Sequence, residues 1–366
     1  MKIGIDAKYI YTNKAGTGRY INNLLSHVKK IDNVNSYVEL HPSSQSEIKK
    51  TNNFLSRITN GFGEFIRCQL MLPLRTKSLG IDILHSPTFI SPIITGCPVI
   101  LTIYDLNHIL YPETFEPLYR QYLNLLLPIC AKRATKIITT SESSRKDIIG
   151  NLHVGEDKVE VIYGAASPIF GRLDTENNFQ SVLKKFRIRT PYILNVGTLE
   201  PRKNISGLLK AFSMLKERKS IPHKLVIVGE KGWRHKIIFK AISSLNLQDE
   251  VIFTSYISDE ELMILYNKCN VFVYPSLYEG FGLPPLEAMA CGAPVITSNT
   301  SSLPEVVGNA GIMINPDNTE ELCETIYTVI ENNSLMENMR KKSLERAKLF
   351  SWEKSARQLL KIYSEV

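Results

Sequence analysis

Two glutamates eight positions apart, Glu279 and Glu287, flank a glycine turn, Gly280-Phe281-Gly282, in the run YEGFGLPPLEAMACGAPVI at residues 278–296. Paired carboxylates suit the acid and base of a proton-transfer reaction such as hydrolysis. Glycines let main-chain N–H groups approach a ligand closely and donate to it. The preceding VFVYPS reads as a buried strand, so Glu279 falls at a strand's carboxyl end. Pro284 or Pro285 is expected to open a helix, with Leu283 just before it and Glu287 in its first turn. Taken singly, Glu287 is an ordinary first-turn glutamate favoured by the helix dipole, and Glu279 an exposed strand-end charge. Neither plain reading accounts for the whole cassette.

A second constellation is NVGTLEPRKNISGLLKAF, where Arg202 and Lys203 follow a strand ending at Gly197 and precede a helix capped by Asn204. Two cations beside a helix N-terminus make an anion site, because charge-assisted hydrogen bonds add to the dipole. Such a pair on a loop is usually solvated surface, but its place at a strand end favours the anion reading. In KYIYTNKAGTGRYINNLL, Gly16 and Gly18 are expected to turn the chain ahead of a helix. A plain turn explains them as well as a ligand loop does. Ile21 stands where a dinucleotide fingerprint needs its third glycine, so NAD binding is discounted. In VILTIYDLNHILYP, Asp105 ends a strand beside Tyr104 and serves either a sugar hydroxyl or proton, or the cap of the next segment. His85 and His108 lack metal-ligand spacing and read as packing histidines.

These loops need elements to hold them. KIGIDA, DILHSP, PVILTIYD and KIITTS read as strands, and YILNVG, KLVIVG, VIFTSY, VFVYPS and APVITS form a second series. They are apolar throughout and alternate with helix-like segments, the pattern of α/β doubly wound parallel sheets covered on both faces. The polar stretch at 167–191 interrupts the alternation once. Two Rossmann-like domains facing across a cleft are therefore expected, residues 1–170 and 171–350. A helix at 351–366 follows, with Ser351 as N-cap, and packing back on the first domain is one course open to it. Ligands belong beyond the strands' carboxyl ends.

Composition narrows the classes. The net charge of +8 is spread as +5 over residues 1–175 (20 basic less 15 acidic) and +3 over the rest (24 less 21). That evenness, without a basic–aromatic repeat, argues against nucleic acid as a partner. It suits small anionic ligands or an anionic membrane surface, and solubility explains it equally well. The six scattered cysteines include no CxxC pair and read as buried, reduced thiols of a cytosolic protein. The N-terminus lacks the apolar core of a signal peptide, and the apolar runs are too short to cross a bilayer. At 54–78, Arg57, Arg67, Arg75 and Lys77 alternate with large apolar residues. An amphipathic core helix is the plain reading, and contact with the anionic headgroups of an inner membrane the other.

The run SLYEGFGLPPLEAMACGAPVITSNTSSLPEV resembles the E-x7-E signature of retaining glycosyltransferases of the GT-B fold, family four. AGTGRY, TTSESSRKDI, NVGTLEPRKN and KLVIVGEKGW match that family in the expected order, over essentially the whole chain. The resemblance implies that Glu279 contacts the donor sugar's hydroxyls and Glu287 the ribose. Phe281, Gly282 and Leu283 would present N–H groups to sugar and diphosphate. Arg202 and Lys203 would hold the diphosphate, the Gly16–Gly18 loop would close over it, and Tyr256-Ile257 would lie near the base. The family uses no metal or other cofactor, and no DxD-type carboxylate pair is visible. The chain departs from the family at Tyr104, where relatives carry His, and at Thr198, where some carry Arg.

Within the family the motifs look most like mannosyltransferases. The resemblance thus implies a nucleotide-diphosphate sugar donor, GDP-mannose first and UDP-hexoses close behind. It implies a saccharide or lipid-linked acceptor of surface polysaccharide, bound by residues of the first domain that the sequence does not name. A nucleotide-sugar epimerase and a non-catalytic binding subunit are the alternatives.

Overall fold

The computed structural model describes residues 1–12, 16–40, 63–173, 179–189 and 191–366. They divide into two compact units. The first comprises Met1–Leu110, Pro117–Gly164 and Trp352–Val366, the second Tyr111–Glu116 and Ala165–Ser351. Tyr111–Glu116 thus belongs to the second unit although it lies in the first half of the sequence.

The first unit is built on β1 (Lys2–Asp6), β2 (Ser36–Leu40), β3 (Ile83–Ser86), β4 (Val99–Thr102), β5 (Lys136–Thr139) and β6 (Val159–Val161). All pair in parallel, in the order β2-β1-β3-β4-β5-β6. The terminal helix Trp352–Glu365 packs on helix Gly16–Ile31 of this unit, with Trp352 edge-on to Tyr20 at 5.6 Å. Its Tyr363 hydroxyl lies 2.7 Å from Nδ1 of His85, whose Nε2 lies 2.9 Å from the Thr102 hydroxyl. Burial pushes the His85 pKa down to about 3, so at neutral pH this is an uncharged packing histidine.

The second unit contains β7 (Tyr192–Val196), β8 (Lys224–Val228), β9 (Val251–Ser255), β10 (Val271–Tyr274), β11 (Val295–Ser298) and β12 (Ile312–Ile314). The order is β12-β11-β10-β7-β8-β9, again all parallel. Successive strand residues point to opposite faces, and the core divides accordingly. Leu194, Val226, Phe272 and Tyr274 pack on one face against Ala288 and Met289. Ile193, Leu225, Ile227, Val271 and Val273 pack on the other against Leu208, Phe212 and Ile326. Fully burying each large apolar side chain contributes about 1.5–3 kcal/mol, so both faces stabilise the sheet that carries the site.

One detail differs from the sequence expectation. Gly16 and Gly18 do not form a turn; they occupy the first turn of helix Gly16–Ile31, and neither has a positive φ. Gly18 is buried, and the helix continues through Tyr20, Ile21, Leu24 and Leu25, whose apolar spacing draws this first turn into the helix. In the basic stretch, 54–62 including Arg57 lies outside the described residues. From residue 63 the chain is helical to Ser78, through a π turn at Arg67–Met71 and helix Leu72–Ser78. Arg67 points inward, paired bidentately with buried Asp6 at 2.9 and 3.0 Å and bonded to Glu64. Among the described residues no helix is long and apolar enough to cross a membrane.

Candidate functional site

In an open parallel sheet, ligands sit where the strand order reverses, because the adjacent loops leave in opposite directions and open a crevice. In the second unit that point lies between β7 and β10. The Asn195 side chain bridges them there, donating from Nδ2 to the Val273 carbonyl at 2.8 Å. Arg202 and Lys203 follow β7 and Glu279 follows β10, so the two sequence constellations meet at this crevice.

The β7 loop tightens into a 3-10 turn at Pro201–Lys203. Asn204 then adopts a left-handed conformation and caps helix Ile205–Lys219, accepting from the Gly207 N–H at 3.3 Å. This turn carries Lys203 inward. Its Nζ donates to Glu279 Oε1 at 2.7 Å and to the Tyr274 hydroxyl at 2.6 Å. Arg202 approaches the other oxygen, Nη1 to Oε2 at 2.8 Å, and also donates to the Tyr278 carbonyl at 2.8 Å and to Glu200 at 2.7 Å. Glu279 is 7% exposed and Lys203 8%. The exposed strand-end charge considered from sequence is therefore a buried one, satisfied by two cations and two hydroxyls. Tyr274 donates to its Oε1 at 3.0 Å and Ser276 to the same oxygen at 2.6 Å.

Burial alone would raise the Glu279 pKa, but Arg202 and Lys203, with the Lys203 and Ser276 hydrogen bonds, overcome it and hold the carboxyl at about 2. The Lys203 pKa is lowered by burial and by neighbouring Arg202, against the opposing pull of Glu279. Tyr274 is pushed up by burial and by Glu279, which keeps its phenol protonated and donating. The cluster is thus an ionised carboxylate clasped by cations, an arrangement for binding rather than for exchanging protons near neutrality.

Helix Leu283–Ala290 follows, and it starts at Leu283 rather than at either proline. Pro284 is its second residue, so Glu287 lies beyond the first turn, buried, with the Tyr266 hydroxyl 3.4 Å from Oε2. Its burial is set by helix Asp259–Lys268 alongside, not by the dipole of the first turn. Gly282 caps the helix at φ 109°, and a Cβ there would come within 2.9 Å of Leu303. Phe281 packs edge-on to Phe350 at 5.8 Å. The Ser301 hydroxyl accepts from the Glu279 N–H at 2.9 Å, and Ser302 donates to the carbonyls of Glu279 and Phe281 at 3.0 and 2.7 Å. The glycine turn through Gly280 is therefore held by the loop after β11.

The β8 loop completes the edge. Gly229 passes so close to the β7 loop that a Cβ would lie 1.9 Å from the Gly197 carbonyl oxygen. Its N–H donates to the Ser255 carbonyl at 3.1 Å, which sets Tyr256 and Ile257 beside it. Ile257 is buried and Tyr256 exposed, ahead of a capping box from Ser258 and Glu261.

Asp105, Gly16 and Gly18 belong to the first unit. Asp105 accepts from the Asn107 N–H at 3.0 Å, the capping role. Tyr104 is buried, edge-on to Tyr20 at 5.7 Å, and donates to the Pro87 carbonyl at 3.1 Å. Sequence reasoning did not single out Tyr274, Ser276, Ser301 or Ser302. The available signal was a polar residue inside an apolar strand, Tyr274, and the serines of SNTSSLPEV. Among the described residues, no group of three or more His, Cys, Asp or Glu side chains could hold a metal ion.

Two family models match the chain, Glycosyltransferase Family 4 over residues 16–167 and Glycosyl transferases group 1 over residues 174–346. O-antigen chain mannosyltransferase B of Escherichia coli is 34% identical over 284 residues, covering 77% of this chain and 74% of that protein. Serotype-specific mannosyltransferase WbdA of Escherichia coli is 33% identical over 69% of this chain, which spans only 32% of its length. Among solved structures, sucrose-phosphate synthase from Thermosynechococcus elongatus superposes with a TM-score of 0.77 at 19% identity, covering 100% of this chain and 98% of that one. Anabaena HepE in complex with UDP and glucose gives 0.75 at 16% identity, covering 100% and 99%. At those identities the structural likeness is one of fold. The chain belongs to the glycosyl transferases of group 1 and family 4, and its fold is GT-B.

Proposed function

We propose that this glycosyltransferase is a retaining, metal-independent hexosyltransferase that moves mannose from GDP-mannose to a growing surface polysaccharide. The observation that carries the reading is the Arg202–Lys203–Glu279 cluster at the β7–β10 switch point. As the bond from the anomeric carbon to the diphosphate oxygen breaks, its electron pair passes to the diphosphate. Arg202 and Lys203 are fixed charges for that developing anion. The acceptor oxygen bonds to the same face of the sugar and its proton passes to a diphosphate oxygen, so no protein base need titrate. Glu279 then addresses the sugar hydroxyls, Glu287 the ribose, and the backbone of Phe281, Gly282 and Leu283 the sugar and diphosphate. Mannose is supported by the mannosyltransferase names of the relatives. A UDP-hexose is the second reading, favoured by the neighbour solved with UDP and glucose.

A panel of GDP- and UDP-sugars with released diphosphate as readout tests this. Turnover is expected with GDP-mannose and is expected to be unchanged by excess EDTA. Turnover abolished by EDTA would sink metal independence, and turnover only with UDP-sugars would sink the donor.

The acceptor is proposed to be lipid-linked and met at the cytoplasmic face of an anionic membrane. Leu70, Met71 and Leu74 are exposed at 59%, 46% and 68%, with Arg75 and Lys77 on the same helical segment. Apolar side chains among cations suit an interface with anionic headgroups. Vesicles containing phosphatidylglycerol are expected to sediment the wild type, and L70E/L74E to lower the bound fraction several-fold. Equal binding by the variant would remove this face from the model of acceptor access.

A further inference from the structure

Tyr111–Glu116 leaves the first half of the sequence to lie on the second unit, and nothing in the transfer reaction so far uses it. It is a self-contained hook. The Tyr111 carbonyl accepts from the Thr114 N–H at 3.0 Å and from its hydroxyl at 2.7 Å, around a 3-10 turn at Pro112–Thr114. One end meets the β10 loop, where the Tyr111 ring lies 5.5 Å from the Tyr278 ring at an interplanar angle of 34°. The middle meets the β8 loop, where Arg234 Nη1 donates to the Glu113 carbonyl at 3.3 Å. The strand order β10-β7-β8 means that these two loops flank the β7 loop bearing Arg202 and Lys203.

Tyr278 is the residue before Glu279, is 5% exposed, and its carbonyl is held by Arg202. A ring resting on Tyr278 therefore restrains the backbone that aims the Glu279 carboxylate. We infer that Tyr111 is a positioning residue for the sugar-transfer step, acting through Tyr278 on Glu279, which addresses the hexosyl group of the nucleoside diphosphate sugar. This rests on the donor-site reading above. Arg202, the diphosphate's partner that also touches Tyr278, keeps its bonds to Glu200 and Glu279 without that carbonyl, so the effect of Tyr111 falls on the sugar and leaves nucleotide affinity alone.

The test compares Tyr111→Ala and Tyr111→Phe with the wild type in turnover of the preferred nucleotide sugar and in calorimetric binding of GDP and UDP. An aromatic pair of this kind corresponds to a factor of roughly three to ten. Tyr111→Ala is expected to lower kcat by that factor while the Kd of the nucleoside diphosphate stays within about twofold. Tyr111→Phe, which keeps the ring contact, is expected to retain wild-type kcat. Melting temperatures of both variants separate this from a loss of folded protein, which would depress kcat and binding capacity together. An unchanged kcat in Tyr111→Ala overturns the inference, as does a parallel loss of kcat and nucleotide affinity. A wild type that binds neither GDP nor UDP would overturn the donor-site reading and the inference with it. A wild type that turns over normally beside an indifferent Tyr111→Ala overturns the inference alone.

Discussion

Replacing Lys203 by alanine is expected to lower kcat for sugar transfer by roughly a hundredfold or more, the scale of losing one fixed electrostatic partner of a developing charge. Lys203 is 8% exposed and its ammonium is held by Glu279 and Tyr274, so the charge is already placed when the donor arrives. A charge that needs no reorganisation during the reaction stabilises the departing diphosphate more than a mobile surface lysine could. Arg202 remains in the variant and still pairs with Glu279 at 2.8 Å, so the carboxylate is not left bare and the fold is expected to survive. Steady-state kinetics with a thermal melt decide the point. A folded Lys203→Ala enzyme with wild-type kcat would remove Lys203 from the reaction, and a change confined to KM would make it a ground-state binding group only.

The same cluster shows how far the sequence reached. Strands β1, β3, β4, β5, β7, β8, β10 and β11 were legible as Ile- and Val-rich runs because most of their residues are buried on both faces. Strand β9, an edge strand with only Val251 buried, was legible from its apolar VIF start. The strands not read, β2, β6 and β12, all lie at sheet edges. Their burial is partial: polar side chains interrupt the apolar run in SYVEL and VEV, and IMI is apolar but only three residues long. The first-turn assignment of Glu287 failed for a smaller reason. Proline fits a first helical position but tolerates the second, and Gly282, free to adopt φ 109°, let the helix begin one residue earlier.

In the site, Arg202, Lys203 and Glu279 were legible because each is a charge at the end of an apolar strand. Their direct contact was not. It depends on β7 and β10 being neighbours, a crossover that spacing along the chain does not report. Tyr274 and Ser276 were hidden for the same reason, since VFVYPS reads as plain strand until Glu279 is folded back onto it. The Tyr111 hook illustrates the limit further: nothing in YPETF announces a role, and only the fold makes it part of the second unit and sets its ring on the β10 loop.

Acid is expected to weaken the fold through Glu279 in a window that its environment sets. The carboxyl titrates at about 2 in the fold against 4.5 for the free side chain: burial works against this shift, and Arg202, Lys203 and the hydrogen bonds prevail. A depressed folded pKa means that the ionised form stabilises the fold. Its contribution, about 3 kcal/mol by linkage, is fully present above pH 4.5 and is lost as pH falls toward 2. By pH 3 about 2 kcal/mol of it should be gone. Glu279→Gln cannot titrate, so it isolates this contribution from those of other carboxylates. Urea denaturation of both proteins is expected to show the wild type more stable at pH 6, with the gap narrowing by about 2 kcal/mol at pH 3. A gap independent of pH would mean that Glu279 titrates alike in the folded and unfolded chain. The buried clasp by Arg202 and Lys203 would then not be what holds this carboxylate ionised.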